Sequence, residues 1–301
     1  MQQFFEYAET VEQAIKNKKP IVALESALIA RSLPYPKNLE TIKTLEQIAQ
    51  ENDITLAIIA IVRGKIKIGL KSTELETLFH EKPPIKVSTR DLPYALSQAL
   101  DAVTTVSAAA FCADSAGIRI LATGGIGGVH RGNSHDISAD LIELARTPIA
   151  IVTSGLKAIL DVPETLEFLE TYGVPIVGYR TDFFPAFYTS HSSFPVTVRI
   201  NNLPSMNKLL KSHWQLGIPS SILIANPIPK EDEIPADIME TAVIEALRLA
   251  EEKQITGKDI TPFLLNEVDR ATSGLSQETC IKLLNNNLKL AAMLAHNLST
   301  S

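Results

Sequence analysis

Long apolar runs are missing from this chain. No stretch approaches the ~20 residues needed to cross a bilayer, so no membrane-spanning helix is expected. Cysteine is scarce: Cys112 and Cys280 are the two present in 301 residues. Two cysteines make no disulfide framework, and both stand in helix-like contexts where buried thiols are expected. No Cys/His spacing suited to zinc occurs, nor a G-x-x-x-x-G-K-[ST] phosphate loop. Excess positive charge is absent as well: the formal net charge is -6, and basic residues are scattered apart from clusters such as Lys16, Lys18 and Lys19. A general affinity for nucleic acid is therefore not expected. The opening MQQFFEYAETVEQ has no basic segment followed by a long apolar one, so no signal peptide is expected and a cytoplasmic location is. Internal repeats, low-complexity segments and linkers are absent too.

What is present is the composition of an ordinary globular protein, 45% hydrophobic and 21% charged. Short apolar runs rich in β-branched residues read as strands buried on both faces: residues 20–26, 55–62, 118–123, 148–154 and 175–181. Amphipathic stretches at 38–52, 139–146 and 163–173 read as helices; in the first, Leu39, Ile42, Leu45 and Ile48 share one stripe. This alternation predicts a three-layer α/β fold, a mostly parallel central sheet with helices on both faces. GKIKIGL, at 64–70, follows a strand directly and predicts a hairpin, so the sheet is expected to be mixed. Residues 235–298 read as almost wholly helical, with Gly274 closing one helix and Ser276 suited to start the next. One domain over residues 1–301, with a helical C-terminal portion, is the expected organisation.

Four stretches carry candidate chemistry. ILATGGIGGVHRG, residues 120–132, places four glycines within Gly124 to Gly128 after a strand and follows them with His130 and Arg131. The dinucleotide spacing fails, because His130 stands where a third glycine belongs. Either the loop brings backbone N–H groups to a phosphate, helped by Thr123, His130 and Arg131, or it is a tight turn with nothing bound. In HDISADLIELAR, Asp136 and Asp140 lie four apart and Ser138 suits a helix cap. The carboxylates either complement a helix dipole or hold Mg²⁺ or Mn²⁺ with several waters. Lys157 follows a strand and Gly155 among apolar neighbours, where an amine loses water and becomes a nucleophile, or is simply solvated. Glu25 ends an apolar strand, the edge at which parallel sheets gather ligand sites, and is a general acid or a salt-bridged carboxylate. Lys86 and Arg90 bind an anion or face solvent, and Asn226 bonds a ligand or shapes its turn.

Taken together, ALES, KVSTRDLP, TGGIGGVHRG, DISADLIELA, KAILD, LETYGVPIVGY, PAFY, ANPIP and GKDITPFLLNEV, in this order over roughly residues 20 to 290, resemble the pseudouridine-5'-phosphate glycosidase, or indigoidine synthase A-like, family. The resemblance implies reversible cleavage of the C–C glycosidic bond of pseudouridine 5'-phosphate to uracil and ribose 5-phosphate. It implies Lys157 as the nucleophile that forms an imine, Glu25 as proton donor and Asp136 as ligand of Mn²⁺, with Mg²⁺ as the other candidate. Lys86, Val106 and the segment Ser138, Ala139 and Asp140 match substrate-contacting positions; Thr123 and His130 are expected near the phosphate and sugar. A homotrimer is implied. Arg31 and Ser32 stand where the family usually has a His-Gly pair, the segment 133–135 is shorter than usual, and Cys280 takes the register of an asparagine. Two other readings remain: a non-catalytic nucleotide or sugar-phosphate binding protein, and a sugar kinase-like enzyme.

Overall fold

The computed structural model describes residues 2–80 and 84–299. In chain order the elements run β1 (Phe5–Tyr7), α1 (Glu9–Lys16), β2 (Ile21–Glu25), α2 (Ala27–Ser32), α3 (Lys37–Glu51), β3 (Thr55–Val62) and β4 (Lys65–Ile68). Next come α4 (Ser72–His80), β5 (Ile85–Val87), α5 (Leu92–Ser97), β6 (Ala102–Thr104), α6 (Val106–Ser115), β7 (Ile120–Ala122), β8 (Val129–His130) and β9 (Asn133–Ile137). The chain continues through α7 (Ala139–Leu144), β10 (Ala150–Thr153), β11 (Leu160–Asp161), α8 (Val162–Thr171), β12 (Ile176–Tyr179), β13 (Val198–Ile200), α9 (Leu203–Gln215) and β14 (Ile222–Ala225). It closes with α10 (Ala236–Glu252), α11 (Ile260–Ala271) and α12 (Leu275–Ser299).

The main sheet has the order β1-β4-β3-β2-β7-β10-β14-β12-β13, with β6 also paired to β3 and β5 to β6. It is parallel except where β3 meets β4 and β6. The mixed character comes from the expected hairpin: Arg63 (φ 50) and Gly64 (φ 70) both take positive φ, as a two-residue type I′ turn between twisted strands requires. The strands at the centre are uninterrupted apolar runs because both faces are covered. α6 lies against β2, β3 and β7, while α12 crosses β2, β7 and β10. A second sheet, β11-β8-β9, is small and antiparallel. The short segment 133–135 belongs to its strand β9, turned back on β8 through Gly132 (φ 76). The reading of Ser276 is revised. It sits inside the first turn of α12, and the Asp269 carboxylate takes the hydroxyl of Ser276 (2.8 Å) and the backbone N–H of Gln277 (3.3 Å).

α12 carries three consecutive asparagines, Asn285, Asn286 and Asn287, and the last has a structural use. Asn287, fully buried, donates to the Thr123 carbonyl (2.7 Å) and meets Ser154 Oγ (3.0 Å), while its Oδ1 accepts from Asn226 (2.9 Å). One amide thus joins the ends of β7, β10 and β14, and Asn226 is spent on this network rather than on a ligand. Asn287→Ala takes the side-chain donor from the buried Thr123 carbonyl and leaves the Asn226 amide only its longer bond to the Asn286 carbonyl (3.4 Å). It is expected to lower unfolding free energy by roughly 2–4 kcal/mol, read by urea denaturation.

Candidate active site

Sheet register places the candidates. β2, β7 and β10 are adjacent and parallel, with Leu24 opposite Ala122 and Ala122 opposite Val152. Their C-terminal ends therefore deliver Glu25, Thr123 and the segment leading to Lys157 to one edge, where ligands gather in open α/β sheets. The glycine loop runs on beside that segment: Ile126 N donates to Gly155 O (3.1 Å), and Lys157 N donates to Ile126 O (3.2 Å). Gly155 has φ +95 and lies so close to Pro185 that an added Cβ would stand 2.0 Å from its carbonyl oxygen. Glycine is the residue that permits the turn aiming Lys157.

A cavity opens at this edge. Glu25, Lys86, Val106, His130, Ser138, Asp140 and Lys157 all line it, so seven of the residues expected from sequence come together. Lys157 also borders an adjoining recess walled by Phe187, Tyr188 and Cys280. A broader basin on the other side contains Asp136 and Ala139, and shares Lys86, His130 and Ser138 with the cavity. Thr123 stands behind the wall: its hydroxyl donates to Glu25 Oε1 at 2.6 Å. It orients the carboxyl and does not line the cavity.

The other Glu25 oxygen, Oε2, is buried with no hydrogen-bond partner among the described residues. Burial lifts this carboxyl to about 7, against the lowering pull of the Thr123 hydroxyl and of the Lys157 charge. A carboxyl that exchanges its proton near neutrality is suited to general acid–base work. Burial also lowers the His130 imidazole, aided by the charges of Lys157 and Lys86 and opposed by Asp136. Its Nε2 lies 3.2 Å from Thr261 Oγ1, which fixes the ring. The Cys280 thiol is pushed up to about 12, by burial first and then by Glu25, so it stays protonated beside Lys157.

The glycine run serves space rather than anion binding at Gly127. The Gly127 N–H donates to Asp140 Oδ2 (2.8 Å), and the Ser107 N–H donates to Asp140 Oδ1 (2.8 Å). Each Asp140 oxygen thus accepts one backbone N–H, and this carboxylate pins the loop to α6. Arg131 departs similarly. It bonds the carbonyls of Leu160 (3.1 Å) and Ala158 (3.4 Å) and pairs with Glu240 (2.8 Å), away from the cavity. The glycines let neighbours close in: an added Cβ would stand 2.5 Å from the Phe187 ring at Gly125 and 2.2 Å from Ser138 Oγ at Gly127. Gly127→Val is expected to displace Ser138 and raise the substrate KM about tenfold or more. An unchanged KM in steady-state kinetics would contradict that placement.

Asp136 offers a single carboxylate. Among the described residues, no three His, Cys, Asp or Glu side chains are grouped to hold one metal ion. One carboxylate suits a hard divalent cation that keeps most of its waters, and does not suit zinc. Arg90, with its side chain 74% exposed beside Asp91, faces solvent. Sequence reasoning assigned no role to Thr261 and Leu265, which α11 brings over the cavity from the far end of the chain. Their segment, GKDITPFLLNEV, carried part of the resemblance; nothing local marks it as part of the site. Arg31 and Ser32 also prove to be cavity walls.

A carboxyl titrating near neutrality that shares a cavity with a lysine amine, at the C-terminal edge of a mostly parallel sheet, defines an enzyme of the α/β class. The chain belongs to the family described as indigoidine synthase A like protein, whose model matches residues 10–297. It is 48% identical to the pseudouridine-5'-phosphate glycosidase of Caldanaerobacter subterraneus subsp. tengcongensis, covering 99% of this chain and 98% of that one. It is equally 48% identical to the glycosidase of the same name from Geobacillus kaustophilus, covering 99% and 100%. An indigoidine synthase A-like protein from Thermotoga maritima has the same fold, with TM-score 0.88 at 36% identity over 93% of each chain. The prealnumycin C-glycosynthase AlnA, solved in complex with ribulose 5-phosphate, matches at TM-score 0.91 and 34% identity over 99% and 98%.

Proposed function

We propose that this protein is a pseudouridine-5'-phosphate glycosidase, reversibly cleaving its substrate to uracil and ribose 5-phosphate. The observation that carries the reading is the pairing of Glu25, with one free buried oxygen and a carboxyl near 7, with the Lys157 amine on the wall of the same cavity. The names of the relatives and the pentose phosphate bound by the glycosynthase support the substrate class.

A C–C glycosidic bond has no nitrogen or oxygen leaving atom to protonate, so uracil must depart through carbon. Lys157 Nζ bonds to C1' as the C1'–O4' bond breaks and O4' takes a proton. A proton is then delivered to uracil C5, the step assigned to Glu25. The C1'–C5 bond breaks with its electron pair going to the uracil ring, and the Lys157 nitrogen lone pair closes to a C1' iminium. Water hydrolyses the iminium, freeing ribose 5-phosphate and the amine. Thr123 holds Glu25 in place, and Lys86, His130 and Ser138 face the sugar phosphate. Asp136 would hold Mn²⁺ or Mg²⁺ mainly through water, and such an ion would orient and polarise nearby oxygens when bound. A homotrimer in the cytoplasm belongs to the same proposal; among the described residues no helix is long and apolar enough to cross a membrane.

Uracil release from pseudouridine 5'-phosphate, followed with added Mn²⁺ and with EDTA, is the test. Release that falls on chelation and returns with Mn²⁺ is expected. Full activity in EDTA would remove the metal, and no release in either condition would remove the function.

A further inference from the structure

Arg31 has no role in the steps above, yet it stands on the cavity wall. α2 follows Glu25 at once, and its buried face, Ala27, Leu28 and Ile29, fixes it against the core. That leaves Arg31, at its last turn, turned to the cavity with Lys86. Its Nη1 donates to the Pro84 carbonyl (3.0 Å), two residues before Lys86, which ties the guanidinium to the approach of β5. Among the described residues, its Nε is buried with no hydrogen-bond partner. A guanidinium is charged at every relevant pH and offers five donors in a fixed fork. A buried donor left unbonded is disfavoured, and in native structures such groups call for an explanation.

The cavity's charge supplies one. Among the described residues, Arg31, Lys86 and Lys157 are its cations. Of the two carboxyl groups among those residues, Asp140 has both oxygens bonded to backbone N–H groups and Glu25 titrates near 7. The Arg31 and Lys86 side of the cavity therefore favours an anion with several oxygens, and the planar fork suits a phosphate. We propose that Arg31 is a binding residue for the phosphate of the sugar-phosphate substrate, acting with Lys86 and making the site select phosphorylated over unphosphorylated ligands. The proposal rests on the reading of this cavity as a sugar-phosphate site.

Binding is tested apart from catalysis. Inorganic phosphate and ribose 5-phosphate are titrated calorimetrically into the wild type, Arg31→Ala and Arg31→Gln, with Arg248→Ala, on an exposed helix face, as control. Affinity for both probes is expected to fall about 10- to 100-fold in the Arg31 variants and to stay unchanged in the control. Thermal melting identifies a variant that has lost its fold, and the other then decides. In turnover, KM for pseudouridine 5'-phosphate rises while kcat changes little. Wild-type affinity in a folded Arg31 variant, or a wild type that binds neither probe, overturns the proposal. A wild type that binds phosphate through Arg31 but releases no uracil overturns the glycosidase reading and leaves Arg31 as an anion site.

Discussion

Lys157→Ala is expected to lower kcat for uracil release by at least roughly 10³-fold, because among the described residues no other amine is placed to take its part. Lys86 shares the cavity, but it projects from β5 and not from the segment held against the glycine loop. The fold should survive: Lys157 is half-buried, and its backbone N–H and carbonyl, which bond Ile126 and Leu160, are untouched by the change. Melting temperature should therefore stay near the wild-type value while turnover collapses. A Lys157→Ala variant retaining full activity would remove covalent catalysis from the account.

Glu25→Gln carries the second large effect. The amide keeps the shape and the bond from Thr123, but it has no proton to give at neutral pH, so kcat should fall roughly 10²- to 10⁴-fold. The wild type should lose activity as pH rises through about 7, where Glu25 gives up its proton, and the variant should lack that limb. Stability moves the other way. The folded-state value lies above the ordinary 4.5, so the native state holds this proton more tightly than the unfolded chain. Its stabilising contribution is complete below about 4.5 and is lost as pH rises through about 7. At pH 8 the wild type carries a buried carboxylate that the variant does not. The variant should then be more stable by about 1–3 kcal/mol, with little difference at pH 4. Urea unfolding at the two pH values checks the sign; a variant less stable at pH 8 would mean that Glu25 is well solvated or firmly paired.

The sequence was most readable where burial is one-sided or complete. β2, β3, β7, β10 and β12 coincide with the apolar runs, and the β3–β4 hairpin follows from Arg63-Gly64. Glu25 stood out because a carboxyl at the end of such a run must be either neutralised or used. The three-residue strands β1, β5, β6 and β13 are too short to show alternation, and in β9 four of five residues are exposed, so no apolar pattern marks it. Roles that depend on which backbone comes near were not legible. Thr123 and Arg131 have the right chemistry for ligand binding and spend it on Glu25 and on two carbonyls with Glu240, and Asp140, on the cavity wall, also holds two backbone amides. The glycines suggested backbone freedom or a phosphate cradle, whereas at Gly125 and Gly127 what matters is the absent Cβ beside Phe187 and Ser138. The parts of α2 and α11 that close the cavity lie more than two hundred residues apart in the chain, and packing alone joins them.

Covalent capture at Lys157 is the direct test of the central claim. The protein is incubated with ribose 5-phosphate, reduced with borohydride, digested and analysed by mass spectrometry. The account predicts one reduced pentose-phosphate adduct on the peptide containing Lys157, absent without borohydride and absent in Lys157→Ala. An unmodified Lys157, or an adduct at Lys86 in its place, would contradict it.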